Sequence, residues 1–583
     1  MPSPWTELAP PGLSTALTVP PPKFLSATIR VMGWSLGLTL AAADAWATRF
    51  SMNPDGVSYL DMGDAIWRGD LHAAINGHWS PLYPCVAGLV LKVLRPSMYW
   101  EFPVVHLLNL VIFVWALIGF EFLLKNFIAR RKNAKPSPNS SATGLPEWAW
   151  WLLGYSVFLP ASLTHITMRR ATPDLLLSGF IYLAAGLLLR IRSAPQLKWF
   201  VLLGIVLGFA YLTKAVMFPL AFSFMVTAIF LNDNRPRALR LAGVSLLLFL
   251  VLAGPLVYLL SRAKGRFTIS DSGRWAYLVF LNGVQPFFPD SPNLTHPLKK
   301  ISNSPPVYDL SSAPLGTYPP WSDPSYWQDG IKPRLNLIKQ AKSLFTSTKA
   351  YLRALYLPSM QLNFTSAFLL LLALGRRPRE VFERMEWLLV APAIAALAVY
   401  APLLVEFRYI APFTVFFWLG LFSGITVPVN RMPRTIMSAT VIAVVVTSLI
   451  LLAGSSIRRQ KEAEGPVYSQ AAQALREKGI QAGDKVALIW DEEYKRHATE
   501  GSYVPRLLKT RVVVEASSAK EFWQADPSWR SHVIQLLAQT GAKAAITVES
   551  PPDAGNCWER LDGTEFYACM LFGTGHAPSP DDF

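Results

Sequence analysis

The chain of 583 residues is 52% hydrophobic and only 16% charged, with a mean hydropathy of +0.30, too apolar for a soluble protein of this size. Its 54 lysines and arginines outnumber 38 acids for a formal charge of +16. The basic residues form short clusters between apolar runs, as cytoplasmic membrane anchors do, which argues against a nucleic-acid partner. Three cysteines exclude a Cys-rich metal module.

The first stretch, MPSPWTELAPPGLSTALTVPPPKF, is Pro-rich with a late Lys23. It reads as a disordered cytoplasmic tail (1–27) rather than a cleaved signal peptide. Apolar runs then recur at lengths able to cross about 30 Å of hydrocarbon. The expected spans are 28–48, 102–124, 148–164, 174–192, 199–213, 215–231, 241–260, 357–375, 387–405, 409–427 and 435–454. With the N-terminus inside, the cytoplasmic loops contain RRKNAK (130–135), RIRSAPQLK (190–198), NDNRPRALR (232–240), GRRPRE (375–380) and NRMPR (430–434). Every one is basic, as the positive-inside rule requires. Residues 81–94, PLYPCVAGLVLKVL, are too short for an ordinary span and read as a helix lying at the outer interface. A more polar helix precedes it in the outer loop 49–101: Asn53-Pro54 starts it, and Asp55 suits its positive end.

Eleven spans put the C-terminus outside and leave two large external regions. Residues 261–356, rich in Pro, Tyr and Trp, read as an irregular loop. Residues 456–583 read as a small α/β domain, with strands VALIW (486–490), RVVVEA (511–516) and KAAITVE (543–549) between helical stretches 468–478 and 527–540. Near its end, CWERLDGTEFYAC (557–569) reads as a hairpin. A three-residue loop at 562–564 sets Cys557 directly opposite Cys569, where a disulfide is geometrically possible.

Charged and His residues beside the spans collect on the expected outer side: Asp55, Asp61, Asp64, His78, His165, Arg169, Arg170, Asp174, Lys214, Glu406 and Arg408. Charges at that depth are costly unless paired or solvated in a cavity, which makes them functional candidates. Asp55 is either a helix N-terminal carboxylate satisfied by backbone N–H groups or a base for an acceptor hydroxyl. Asp61 falls about two-thirds of a turn off the Asp55 face and reads as solvated surface; Asp64 stays open. Arg169 and Arg170 either grip a phosphate bidentately or snorkel to the interface. Lys214 and Arg408 run against the positive-inside trend. His78 and Tyr83 lie in GHWSPLYP, where a single His is a poor metal signal. No phosphate-binding or dinucleotide glycine motif occurs.

NPDGVSYLDMGDAIWRGD followed by GHWSPLYP resembles the first outer loop of polyprenyl-phosphate-sugar-dependent glycosyltransferases of the GT-C fold, among them protein O-mannosyltransferases and lipid A aminoarabinose transferases. RRATPDLLLSGFIYLAAGLLLR, GFAYLTKAVMFPL and EFRYIAPF resemble their later elements, and the likeness covers about residues 28–430. The resemblance implies a polytopic α-helical GT-C domain (28–455) in a bacterial inner membrane, N-terminus cytoplasmic, C-terminus periplasmic. It implies inverting transfer of a sugar from a polyprenyl-phosphate donor to an extracytoplasmic acceptor among membrane lipids. Asp55 becomes the base, Asp174 the second-loop acid, and Lys214 and Arg408 the positions near the donor phosphate; Arg169 and Arg170 join them as donor-phosphate ligands by their own chemistry. His78, Tyr83, Tyr409 and His165 become acceptor-side or supporting residues. No cofactor and no metal is expected: Gly56 stands where many relatives carry a second acid, which weakens a paired-carboxylate metal site. The alternative is a non-catalytic binder or carrier of lipid-linked sugar.

Overall fold

In the computed structural model, residues 22–133, 142–230, 232–313, 316–356, 360–374, 378–428, 430–490, 500–548 and 557–571 are described. Most of the expected tail, and parts of the basic loops at 130–135 and 375–380, fall outside them.

A helix forms at each expected span. Among the described residues, five are long and apolar enough to cross a membrane by length and composition: Phe24–Ala47, Met98–Lys132, Asp174–Ser193, Arg235–Ala263 and Met432–Lys461. Leu197–Thr213, Met217–Phe230, Leu362–Ala373, Trp387–Tyr400 and Phe407–Phe422 are shorter apolar helices. Glu147–Pro160 continues through a wider π turn, Ala161–Ile166. The chain is a membrane protein.

Burial separates central from peripheral helices. In Asp174–Ser193, 83% of the apolar window is buried, against 28% in Arg235–Ala263. The first is therefore the hub, packed along Met98–Asn133, while the second leaves Leu247, Val251 and Tyr258 exposed, as a lipid-facing helix does. Rings of Phe113, Phe120, Phe158 and Tyr182 fill the hub, with Phe120 and Phe158 stacked at 4.4 Å. Charges inside the bundle are paired, as their desolvation demands. Asp44 meets Arg459 and Ser456, and Glu386 meets Arg130 at 2.8 Å.

The stretch after the first long helix forms two short helices, Pro54–Trp67 and Leu82–Leu94. At about 1.5 Å per residue, thirteen residues rise about 20 Å, short of a span. Gly63 and Gly88 let the two cross closely: a Cβ on Gly88 would sit 2.5 Å from the Gly63 carbonyl carbon.

A mixed seven-stranded sheet lies in the order Lys299–Asn303, Pro306–Asp309, Arg511–Ala516, Lys485–Ile489, Ala544–Thr547, Tyr567–Met570, Trp558–Arg560. Helices Val467–Glu477 and Pro527–Gln539 accompany it. Two expectations need correction. The 261–356 region is not wholly irregular: its 299–309 hairpin extends the C-terminal sheet, with Val307 opposite Ala516. The Pro-flanked segment lacks a strand pattern of its own and becomes a strand by completing an open edge. In the final hairpin, Trp558 rather than Cys557 stands opposite Cys569. Leu561 donates its N–H to the Phe566 carbonyl at 2.8 Å, which lengthens the loop and shifts the register by one. Cys557 and Cys569 are nonetheless disulfide-bonded, Cα to Cα 4.9 Å.

Candidate active site

Four separated segments converge at one end of the bundle. Pro54 opens the first short helix and puts Asp55 in its first turn. Asn53, at the cap position, accepts the Ala171 N–H at 2.8 Å. His106 is bracketed by the carbonyls of Met168 and Ser51, each at 2.8 Å. These bonds hold the 164–174 loop against the helix start and bring Asp174, the first residue of the hub helix, beside Asp55. Lys214 follows the end of Leu197–Thr213 in an extended conformation, and Arg408 lies in the first turn of Phe407–Phe422.

Lys214 Nζ contacts Asp174 Oδ1 at 2.5 Å and lies over the Tyr409 ring, 3.4 Å from its centroid. Arg408 reaches Asp55 Oδ2 at 3.3 and 3.4 Å, Asp174 Oδ2 at 3.8 Å and Glu406 at 3.7 Å. Its Nη2 also donates to the Tyr409 hydroxyl at 3.1 Å. The Asp55 side chain thus binds Arg408 and, through Oδ1, the Trp321 indole N–H at 3.1 Å. Its partners are side chains from distant segments. Arg408 Nε and Asp174 Oδ2 are buried without a hydrogen-bond partner among the described residues.

These groups line a cavity of about 450 Å³, within the usual range for ligand sites. One wall is apolar, with Val216, Pro219, Phe280, Val399, Leu403 and Leu404. Another is aromatic: His78 lies 4.3 Å from Trp79 and 4.9 Å from Trp275, ring centre to ring centre. Burial pushes His78 down to about 4, against the opposing pull of Asp323, Asp55 and Asp271. Burial, then the charges of Asp55 and Asp174, push Tyr59 well above the ordinary range and keep its hydroxyl a donor.

Residues 154–281 match the family model for dolichyl-phosphate-mannose-protein mannosyltransferases. A similar solved structure is ArnT from Cupriavidus metallidurans bound to undecaprenyl phosphate, at 12% identity and TM-score 0.53, covering 94% of this chain and 99% of that one. The chain carries the GT-C fold. An oligosaccharyltransferase from Archaeoglobus fulgidus, solved with Zn and sulfate, is similar at 12% identity and TM-score 0.49, over 89% of this chain and 67% of that one. A comparison with curated protein sequences finds no match.

Within this GT-C scaffold, Asp55, Asp174, Lys214, Glu406, Arg408, Tyr409 and His78 meet in the cavity. The other expected site residues do not line it. Arg169 pairs with Glu464 at 2.5 Å, and Arg170 is exposed; the loop that carries them is folded back by His106 and Asn53. His165 packs beside Phe407, ring centres 5.5 Å apart. Tyr83 is buried behind Tyr59 and donates to Asn109 at 3.2 Å. Asp61, expected to be solvated, is 9% exposed and ion-paired with Arg506 at 2.7 Å. Helical phase cannot see that partner, because it arrives from another part of the chain. Trp321 and Tyr59 were not anticipated. Tyr59 lies four residues after Asp55, one helical turn, and its phase could have revealed it. Trp321 sits in an irregular Pro-rich stretch and carries no local signal.

Proposed function

We propose that this protein transfers a sugar from a polyprenyl-phosphate donor to an acceptor hydroxyl at the extracytoplasmic face, with inversion and with Asp55 as general base. One observation carries this reading: three carboxylates and two cations from four distant segments share a single cavity with an apolar wall. The family match over 154–281, and the undecaprenyl phosphate bound by ArnT, which shares the fold, support a lipid phosphate as donor. Residues 28–455 form the transferase domain and 456–583 an accessory domain, with the N-terminus inside and the C-terminus outside.

Arg408 makes long contacts to several acids and, among the described residues, leaves Nε without a hydrogen bond, so its fork has capacity for a phosphate. Lys214 supplies the second positive charge. As Arg408 turns toward the donor phosphate, it releases Asp55 Oδ2. Trp321 continues to hold Oδ1, which leaves Oδ2 to accept the proton. The acceptor oxygen attacks the anomeric carbon from the face opposite the phosphate; the C–O bond to phosphate breaks and polyprenyl phosphate leaves. The apolar wall accommodates the first isoprene units.

The test incubates purified protein with a panel of polyprenyl-monophosphate sugars and scores released lipid phosphate and glycosylated product by mass spectrometry. Asp55→Asn abolishes transfer, a loss of at least about 100-fold, and retains donor binding. Binding without product in the parent protein, or normal turnover in Asp55→Asn, would identify a carrier or another base.

A further inference from the structure

A buried side chain of the C-terminal α/β unit reaches the helix that carries Asp55. Arg506, in the short helix Tyr503–Leu508, is 1% exposed and reaches three acids. Its Nη1 binds Asp61 Oδ1 at 2.7 Å, Nη2 lies 2.8 Å from Asp64, and Nε binds Glu101 at 2.8 Å. Lys509 adds contacts to Asp64 at 3.1 Å and Glu101 at 2.7 Å. Burial opposes ionisation of Asp64, but Arg506 and Lys509 outweigh it and hold the carboxyl below its usual range.

The other oxygen of Asp61 accepts both the N–H and the hydroxyl of Thr317, at 2.6 and 2.8 Å. The same stretch of loop is stitched to the C-terminal sheet. Val512 donates its N–H to the Thr317 carbonyl at 2.9 Å, and Leu310 donates to Val513 at 2.8 Å. Arg511 donates to the Ala313 carbonyl. One residue after Thr317 comes the helical turn Pro319–Ser322, whose Trp321 donates to Asp55. The Trp321 carbonyl is held in turn by Ser58 Oγ at 2.7 Å and the Trp79 indole at 3.2 Å. Gly316, at φ +90°, makes the turn: a Cβ there would collide with Ser322 Oγ and approach Asp61 Oδ2 to 3.3 Å.

We propose that the C-terminal unit is a positioning element for sugar transfer, with Arg506 acting through Asp61 and Thr317 to hold Trp321 on Asp55. The inference rests on the reading of Asp55 as base. A carboxylate rotates broadly about its terminal torsion, so a single fixed donor on Oδ1 determines which oxygen faces the acceptor. Helix Pro54–Trp67 carries both Asp55 and Asp61. The loop is therefore pinned against the same helix that bears the base, and the C-terminal sheet holds its other side by hydrogen bonds. Arg506, Asp61 and Thr317 touch no substrate in this account; they orient the residue that orients the base.

The test combines kinetics with hydrogen exchange on the full-length protein in detergent. Trp321→Phe and Arg506→Met each lower kcat about tenfold with KM for the polyprenyl-phosphate donor within about twofold, as loss of orientation rather than of donor binding requires. The double variant falls about tenfold too, instead of about 100-fold, because both changes break one chain of contacts. Independently of activity, Arg506→Met speeds amide exchange in peptides covering 306–322 and leaves those covering 174–214 unchanged. Arg506→Met leaves three acids facing one lysine; if it does not accumulate, Thr317→Val, which removes a single hydroxyl from the chain, carries both measurements. Multiplicative losses, or unchanged exchange across 306–322, overturn the proposal. A parent protein that transfers no sugar from any donor overturns the role of Asp55, while the exchange arm still decides whether Arg506 holds the loop.

Discussion

Acidification should destabilise the protein through His78. The ring sits among Trp79, Trp275 and Trp321, and its Nδ1 is buried without a hydrogen-bond partner among the described residues. Burial, aided by the positive charge of Lys214, pushes it from 6.5 to about 4, although Asp323, Asp55 and Asp271 pull the other way. An unfolded histidine titrates near 6.5. Between those two values the unfolded chain binds a proton that the folded protein refuses, so stability falls as pH falls. The contribution is fully present above about pH 6.5; it declines by about 2 kcal/mol by pH 5 and by about 3 kcal/mol at pH 4 and below. Thermal unfolding of the detergent-solubilised protein at pH 7.5 and pH 5 measures it, with His78→Phe as reference, because phenylalanine keeps an aromatic ring and cannot titrate. The parent should lose about 2 kcal/mol more than the variant over this interval. Equal losses in the two proteins would refute the reasoning, since the remaining carboxylates titrate in both.

Lys214→Met keeps an unbranched side chain, one atom shorter, and removes the charge beside Asp174, which is 2% exposed. It should weaken donor-phosphate binding by about 10- to 100-fold, the worth of one charge-assisted hydrogen bond, and lower stability by about 3 kcal/mol for the acid left behind; equilibrium binding and thermal unfolding check the two effects. Gly56→Ala should cost about 1–3 kcal/mol by overpacking. The added Cβ would stand 2.5 Å from Met52 Sδ, 3.0 Å from Ala171 Cβ and 3.2 Å from Asn53 Oδ1, prising apart the two segments that bring Asp55 to Asp174, so turnover should fall together with melting temperature.

The crowding at Gly56 bears on what the sequence could show. A glycine after Asp55 reads only as a missing second acid; the structure adds that any side chain there would meet the 164–174 loop. The apolar runs were legible because a bilayer imposes a length and a composition on every span. That is why a helix stands at each expected position and why 81–94, too short to cross, is a separate helix. The central strands were legible for a similar reason, since buried parallel strands read as continuous apolar runs. The hairpin 299–309 was not, because its partner strand lies about two hundred residues away at Arg511–Ala516.

The same division runs through the site. Asp55, Asp174, Lys214 and Arg408 stand out one by one, because a charge beside an apolar span has to be explained by its own desolvation cost. Their sequence neighbours do not tell which of the candidate cations joins them. Arg169 and Arg170 carry the same chemistry as Arg408, yet the fold sends one to Glu464 and the other to the surface. Asp61 and Asp64 share a helix with Asp55, yet they face Arg506. Hydropathy and charge are properties of a residue and its near neighbours, so the sequence by itself determined the membrane helices and the set of costly charges. Pairing is a property of distance in space, and only the tertiary structure decided that Arg408 and Trp321 meet Asp55 while Arg506 takes the acids farther along the same helix.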